Sequence, residues 1–302
     1  MRVLPFLLLL GTFAGCSEDA GDFAVAPGLD PRASRIVPIE PGGFFSGRTC
    51  YVYLPAGSMA PGKRFPVLYV HDGENAFDGI PGWSESFGFD RAADALTASG
   101  EIEPMIIVAI PSDGTRFRDY IPRFETGYPD TCICTVQIPD STTRGGRYVR
   151  AIREDLKPLV DRSFATNPAA DHTGNAGFSL GGLISVYAGY EDPETFGIVG
   201  GFSGSYYGFS WSFLPWVYEQ GRPANGSLFI DTGLIDDNVY DAELLDGLAL
   251  RQGFTPGVDY AYLPLAQETH TITSVRGRVP AFLRFFSRRV AASRALAAAT
   301  RR

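Results

Sequence analysis

The spacing of apolar positions changes period several times along the chain, and each change marks an element. Residues 34–40 and 48–54 alternate in the manner of antiparallel strands, with Pro41-Gly42-Gly43 between them as a turn. Pro66–His71 and Met105–Ile110 are instead unbroken apolar runs, which predict strands buried on both faces. Between them, Phe89–Ser99 has helical spacing, with Ala92, Ala93 and Leu96 on one side. An irregular stretch over 112–145 leads to an amphipathic helix at Tyr148–Phe164, with Val149, Ile152, Leu156, Leu159 and Val160 inward. Further strands are predicted just before Gly177 and at Ile198–Ser203, Ser227–Thr232 and Tyr260–Pro264. Helices are predicted after Ser179, at Asp241–Gln252 and from Val279 to about Ala298. Strands alternating with helices imply an α/β fold, a mostly parallel central sheet with helices on both faces. Ligands of such sheets sit beyond the carboxyl ends of the strands.

One stretch at such a strand end carries chemistry. Gly177-Phe178-Ser179-Leu180-Gly181 fits Gly-x-Ser-x-Gly, in which a strand turns sharply into a helix with a serine at the apex. A strained turn leaves little room beside the serine, so residues two positions away must lack side chains. Gly182 lets the new helix approach the sheet. The flanks agree: Leu180, Leu183, Ile184, Tyr187 and Ala188 form an apolar helical face.

A serine hydroxyl needs a base, and the chain holds only His71, His172 and His270. In the elbow architecture the order is serine, acid, histidine, and only His270 follows Ser179. His71 ends a buried strand and His172 precedes the elbow strand, at its far end. The acid must orient the histidine, and Gly233-Leu234-Ile235-Asp236-Asp237 places two aspartates after a strand. Asp236 is the first choice and Asp237 the reserve, the other being available to cap the next helix. The backbone N–H of Leu180 is one expected oxyanion donor. The turn Asp72-Gly73-Glu74-Asn75 supplies the second through Glu74 or Gly73. Tyr206, Tyr207, Trp211 and Trp216, in an aromatic-rich loop after a strand end, line a substrate pocket or form a lid packed on the sheet.

Composition narrows the picture further. A length of 302 residues suits one α/β domain over 34–302. A net charge of −8 with no basic run argues against a nucleic-acid partner. Met1-Arg2 and the apolar run Val3–Leu10 read as a secretory signal over 1–15, too short to span a bilayer. Phe13-Ala14-Gly15-Cys16 is similar to a bacterial lipobox, with Cys16 as the lipidated residue and 16–33 as a flexible tether. The expectation is an exported, periplasmic or cell-envelope protein that meets a membrane only through that anchor. Cys50, Cys132 and Cys134 then form an odd set whose pairing the sequence leaves open. Their spacing suits no metal site, the aspartate-rich loop matches no calcium loop, and no cofactor is called for.

Several segments together resemble the esterase family of the α/β-hydrolases related to esterase D and enterochelin esterase. They are Phe65–Asp78, Ile106–Ile110 with Arg118-Asp119-Tyr120, Glu154–Val160, Gly177–Gly182 with Tyr187–Gly197, and Phe202-Ser203-Gly204-Ser205. The resemblance spans roughly residues 45–290 and implies an α/β-hydrolase fold. It also implies a serine esterase of small-molecule or polymer-linked esters, with Ser179 as nucleophile, Asp236 as acid, His270 as base and the amides of Glu74 and Leu180 as oxyanion hole. Thr269-His270-Thr271 departs from the family's usual Gly-His, and the segment with Cys132 and Cys134 is not general to it. The same residues would serve an acyltransferase, and a non-catalytic ligand-binding lipoprotein is the reading from another class.

Overall fold

The computed structural model describes residues 33–80, 83–124, 142–206 and 212–300. The signal and tether, Cys16, Cys132, Cys134, Tyr207 and Trp211 lie outside the described residues. Eight strands form one sheet: β1 Arg35–Ile39, β2 Cys50–Leu54, β3 Val67–His71, β4 Ile106–Ile110, β5 Thr173–Phe178, β6 Ile198–Phe202, β7 Ser227–Ile235 and β8 Tyr260–Thr269. Their order is β1-β2-β4-β3-β5-β6-β7-β8. The first hairpin joins antiparallel to β4, and every later pairing is parallel. This is the mostly parallel sheet that the alternation implies, in the α/β-hydrolase arrangement that the resemblance implies.

The two unbroken apolar runs are explained by layers on both sides of the sheet. In β3, Val67 and Tyr69 enter one core while Leu68 and Val70 enter the other. In β4, Ile106, Val108 and Ile110 face the first, Ile107 and Ala109 the second. The first core is closed by α3 Gly145–Ala151, α4 Lys157–Ser163, α5 Leu180–Glu191, α6 Phe213–Gln220 and α7 Val239–Arg251. The second is closed by α1 Phe89–Ala98 and the 29-residue α8 Ile272–Thr300. A single π turn at Ile152–Leu156 joins α3 to α4, so the amphipathic segment begins three residues before the predicted Tyr148. The short α2, Arg116–Asp119, lies in the stretch that reads as irregular. Among the described residues no helix is long and apolar enough to cross a membrane.

Two elements run longer than their apolar patterns, and both extensions matter for the site. β8 continues past Pro264 to Thr269. As an edge strand it has a free side, where a residue without an N–H is tolerated. β7 continues with it to Ile235, through a register shift between Gly233 and Ile235. A Cβ at Gly233 would lie 2.2 Å from the Glu268 carbonyl oxygen, so glycine permits that close approach. α8 begins two turns before the predicted start. Pro280 sits inside the helix, where buried Val275, Arg278 and Val279 secure the turns before it. Cys50 is buried, has no disulfide partner among the described residues, and its thiol is pushed up to about 12 by burial.

Candidate active site

The elbow is built as its glycines require. Ser179 sits between β5 and α5 at φ 61° and ψ −117°, a strained conformation for a residue with a side chain. A Cβ on Gly177 would come within 2.6 Å of the Gly181 backbone, and one on Gly182 within 2.9 Å of the Gly204 Cα. Only glycine at 177 and 182 lets these main-chain segments meet. Ser179 N–H donates to the Phe202 carbonyl (2.9 Å), and Ser205 N–H donates to the Ser179 carbonyl (3.1 Å), which ties the elbow to the end of β6. Leu180 opens α5, so its N–H is one of the first-turn donors without an intrahelical partner.

The histidines separate as their positions suggest. His71 is fully buried, its Nδ1 lies 2.8 Å from the Tyr148 hydroxyl, and burial pushes its imidazole down to about 3. His172 bonds Asp171 (2.7 Å) and accepts from Arg294 (3.2 Å) at the start of β5. His270, carried by the extension of β8, is partly exposed, and its ring lies over Phe178 with centroids 4.4 Å apart. The base candidate therefore packs on the residue that precedes the serine. The Ser179 hydroxyl itself contacts Ser205 Oγ at 3.3 Å. Serine–histidine hydrogen bonds often tighten only once substrate is bound.

The aspartate that meets His270 is Asp237 rather than the first choice, Asp236. Asp237 Oδ1 lies 2.7 Å from His270 Nδ1. Its other oxygen accepts from Gly233 N–H (2.6 Å) and Ser203 Oγ (2.6 Å), and Oδ1 also accepts from Asn238 N–H (2.7 Å). Burial pushes this carboxyl up, but hydrogen bonds from His270, Ser203, Asn238 and Gly233 outweigh burial and hold it at about 2. Asp236 occupies the left-handed region at φ 48° and is exposed, so the turn that ends β7 points it to solvent and its neighbour inward. Behind Asp237, Arg278 is 2% exposed and pairs with Asp231 (2.9 Å) while donating to Ser203 Oγ (2.9 Å). Arg278 escapes sequence reasoning because it precedes Pro280, where the helix was not expected.

The Asp72–Asn75 turn, where the second oxyanion donor is expected, is braced from three sides. Asp72 is left-handed (φ 53°) and begins the one-turn helix Gly73–Asn75. A Cβ on Gly73 would lie 2.3 Å from Ile110 N, so the turn rests directly on the end of β4. The Glu74 carboxylate accepts from Ser112 N–H (3.0 Å) and Ser112 Oγ (2.6 Å). Arg116 then forks onto Asp72, with Nε to Oδ1 at 2.7 Å and Nη2 to Oδ2 at 2.9 Å, while Nη2 also reaches the Phe178 carbonyl at 3.0 Å. One guanidinium thus joins the turn to the elbow. A cleft of about 430 Å³ opens beside the turn, bounded by Tyr51, Glu74, Ile80, Trp83 and Ser112.

The aromatic loop divides. Tyr206 is fully buried, stacks on Phe213 and fills the space over Gly201 and Gly204, so it belongs to the core rather than to a pocket wall. Trp216 packs among Phe124, Tyr187 and Phe213. Both side with packing on the sheet, Trp216 because α6 turns it inward and Tyr206 because Gly201 and Gly204 leave room for its ring.

Comparisons with known proteins agree with this architecture. The enterobactin esterase of Escherichia coli K12 is 46% identical over 156 residues, covering 52% of this chain and 32% of that protein. The uncharacterized protein YbbA of Bacillus subtilis is 29% identical over 156 residues, covering 52% of this chain and 56% of its own. The chain thus spans about half the length of YbbA and a third of the E. coli esterase. A ferulic acid esterase structure from Anaeromyces mucronatus superposes with a TM-score of 0.62 at 18% identity, covering 88% of this chain and 95% of that one. A family model described as Putative esterase matches residues 46–227, more than half of the chain, and the chain belongs to that family.

Proposed function

We propose that the protein is a carboxylic-ester hydrolase that works through an acyl-enzyme on Ser179. The observation that carries this is the His270–Asp237 hydrogen bond at 2.7 Å, with the imidazole seated on Phe178 beside a strained, partly exposed serine. His270 takes the Ser179 proton as the hydroxyl attacks the ester carbonyl, then returns it to the departing alcohol. Water repeats the sequence to release the acid. Asp237 holds the imidazole by Nδ1, leaving Nε2 for the proton transfers. The N–H groups of Leu180 and Glu74 receive the oxyanion. The relatives named for enterobactin and ferulic acid suggest aryl-bearing esters, with the cleft by Tyr51 and Trp83 to receive part of the substrate. Mixing the protein with excess p-nitrophenyl acetate should give a burst of one p-nitrophenol per chain. A phosphonate reagent should add its mass to the peptide holding Ser179. A linear time course with label elsewhere would reject the acyl-enzyme.

Export with an N-terminal lipid belongs to the same proposal, supported by Met1-Arg2, the apolar run to Leu10, and Cys16. The full-length protein expressed in a bacterium should fractionate with membranes and lose that association in Cys16→Ser. Equal membrane retention of the two would remove the anchor.

A further inference from the structure

Ser205 is a buried hydroxyl beside the nucleophile that the steps above leave without a task. It follows β6 in Phe202-Ser203-Gly204-Ser205, is 3% exposed, and its Oγ lies 3.3 Å from Ser179 Oγ. Geometry at that pair alone leaves open which hydroxyl donates. Asn238 decides it. The side-chain nitrogen of Asn238 lies 2.9 Å from the Ser203 carbonyl and 2.9 Å from Ser205 Oγ. A carbonyl only accepts, so the atom facing it is the amide NH₂, and that group can only donate to Ser205. With a lone pair of Ser205 so engaged, its own proton is free for Ser179 Oγ. The main chain fixes the pair as well, through the Ser205 N–H bond to the Ser179 carbonyl.

We propose that Ser205 is a second catalytic hydroxyl, donating a hydrogen bond to Ser179 Oγ whenever that oxygen carries negative charge. The inference rests on Ser179 being the nucleophile. In acylation, the Ser179 O–H bond breaks as its proton passes to His270. An Oγ lone pair forms the bond to the acyl carbon and the carbonyl pair moves to oxygen; that pair then returns as the carbon–alkoxy bond breaks, and the departing alcohol takes the proton from His270. In deacylation, water yields a proton to His270 as its oxygen bonds to the acyl carbon, and the carbon–Oγ bond breaks as the resulting oxyanion collapses. Oγ keeps that pair and is reprotonated by His270. Ser205 keeps its own proton throughout, so the balance of each step is unchanged. At 3.3 Å the contact is long for a bond between hydroxyls, and a charged acceptor shortens and strengthens it. Donation to Oγ is therefore stronger at the transition state than in the resting enzyme, the condition for acceleration.

Ser205→Ala and Ser205→Thr test this in the mature protein with p-nitrophenyl acetate, alongside Ser179→Ala. Ser205→Ala should lower kcat about tenfold or more with KM little changed. It should slow phosphonate labelling of Ser179 by a similar factor, and leave the shape of the pH profile in place, since the His270–Asp237 pair is untouched. Ser205→Thr keeps the hydroxyl and should recover most of the rate. Wild-type kinetics in folded Ser205→Ala, or equal loss in folded Ala and Thr variants, would overturn the proposal. If the alanine variant does not fold, Asn238→Asp turns the Ser205 proton toward the new carboxylate. It should lose at least tenfold, and a wild-type rate there would be equally fatal. An active Ser179→Ala would instead bring down the nucleophile itself, a result distinct from either.

Discussion

Asp237→Asn is expected to lower kcat by about four orders of magnitude, and Ser179→Ala by about six, with each folded state intact. An asparagine amide offers the imidazole a donor where the carboxylate accepted, so His270 is held in the tautomer that cannot take the serine proton. Asp236→Asn, one residue earlier, should turn over within a few-fold of wild type, because that side chain is exposed and bonds neither His270 nor Ser203. The two aspartates thus give opposite outcomes from the same substitution. Steady-state kinetics on an activated ester, with circular dichroism to verify folding, reads the difference. A severe loss in Asp236→Asn with little change in Asp237→Asn would reverse the assignment. Since hydrogen bonds hold Asp237 at about 2, it stays ionised across the working range, so the contrast between the two asparagine variants should persist across that range.

That one-residue choice shows where sequence reasoning ends. The strands β3 and β4, the elbow and the histidine were legible because each rests on local pattern or on chain order: unbroken apolar runs, paired glycines, one histidine after the serine. The choice between Asp236 and Asp237 depends on where β7 ends. Its pattern breaks at Thr232, but pairing with β8 carries the strand to Ile235 through a bulge at Gly233. The left-handed turn at Asp236 then reverses which carboxylate faces inward. The aromatic loop stays open between pocket and lid for a related reason. Tyr206 and Trp216 have the composition of a pocket, and only the approach of Gly201, Gly204 and α6 decides that they pack inward. Arg278 and Arg116 are long-range partners in stretches with no periodic signal, and no local pattern announces them.

Arg116 is where the second large effect is expected. Arg116→Met breaks a forked ion pair whose carboxylate is 5% exposed, leaving Asp72 without its countercharge. Removing one partner of a buried pair costs about 3–5 kcal/mol, and the Arg116 side chain is a quarter exposed, which places the loss near 3 kcal/mol. The rate should fall as well, about a hundredfold in kcat, because the same guanidinium joins the turn bearing Glu74 to the Phe178 carbonyl. Arg116→Lys should recover charge but little rate, since an ammonium cannot fork onto a carboxylate and a carbonyl together. The pH dependence has a definite sign. Burial already pushes the Asp72 carboxyl up against the pull of Arg116. Without Arg116 its folded-state affinity for a proton rises further, while that of the unfolded chain is unchanged. Stability of the variant is therefore greatest at low pH and is lost as pH rises through the folded value. Denaturant midpoints for wild type and variant should diverge progressively as pH rises above the ordinary aspartate range. Asp72→Asn/Arg116→Met should close most of that gap without restoring the rate. Parallel midpoints as pH rises would mean that Asp72 does not depend on Arg116 for its charge. A wild-type kcat in Arg116→Met would free the oxyanion turn from the elbow.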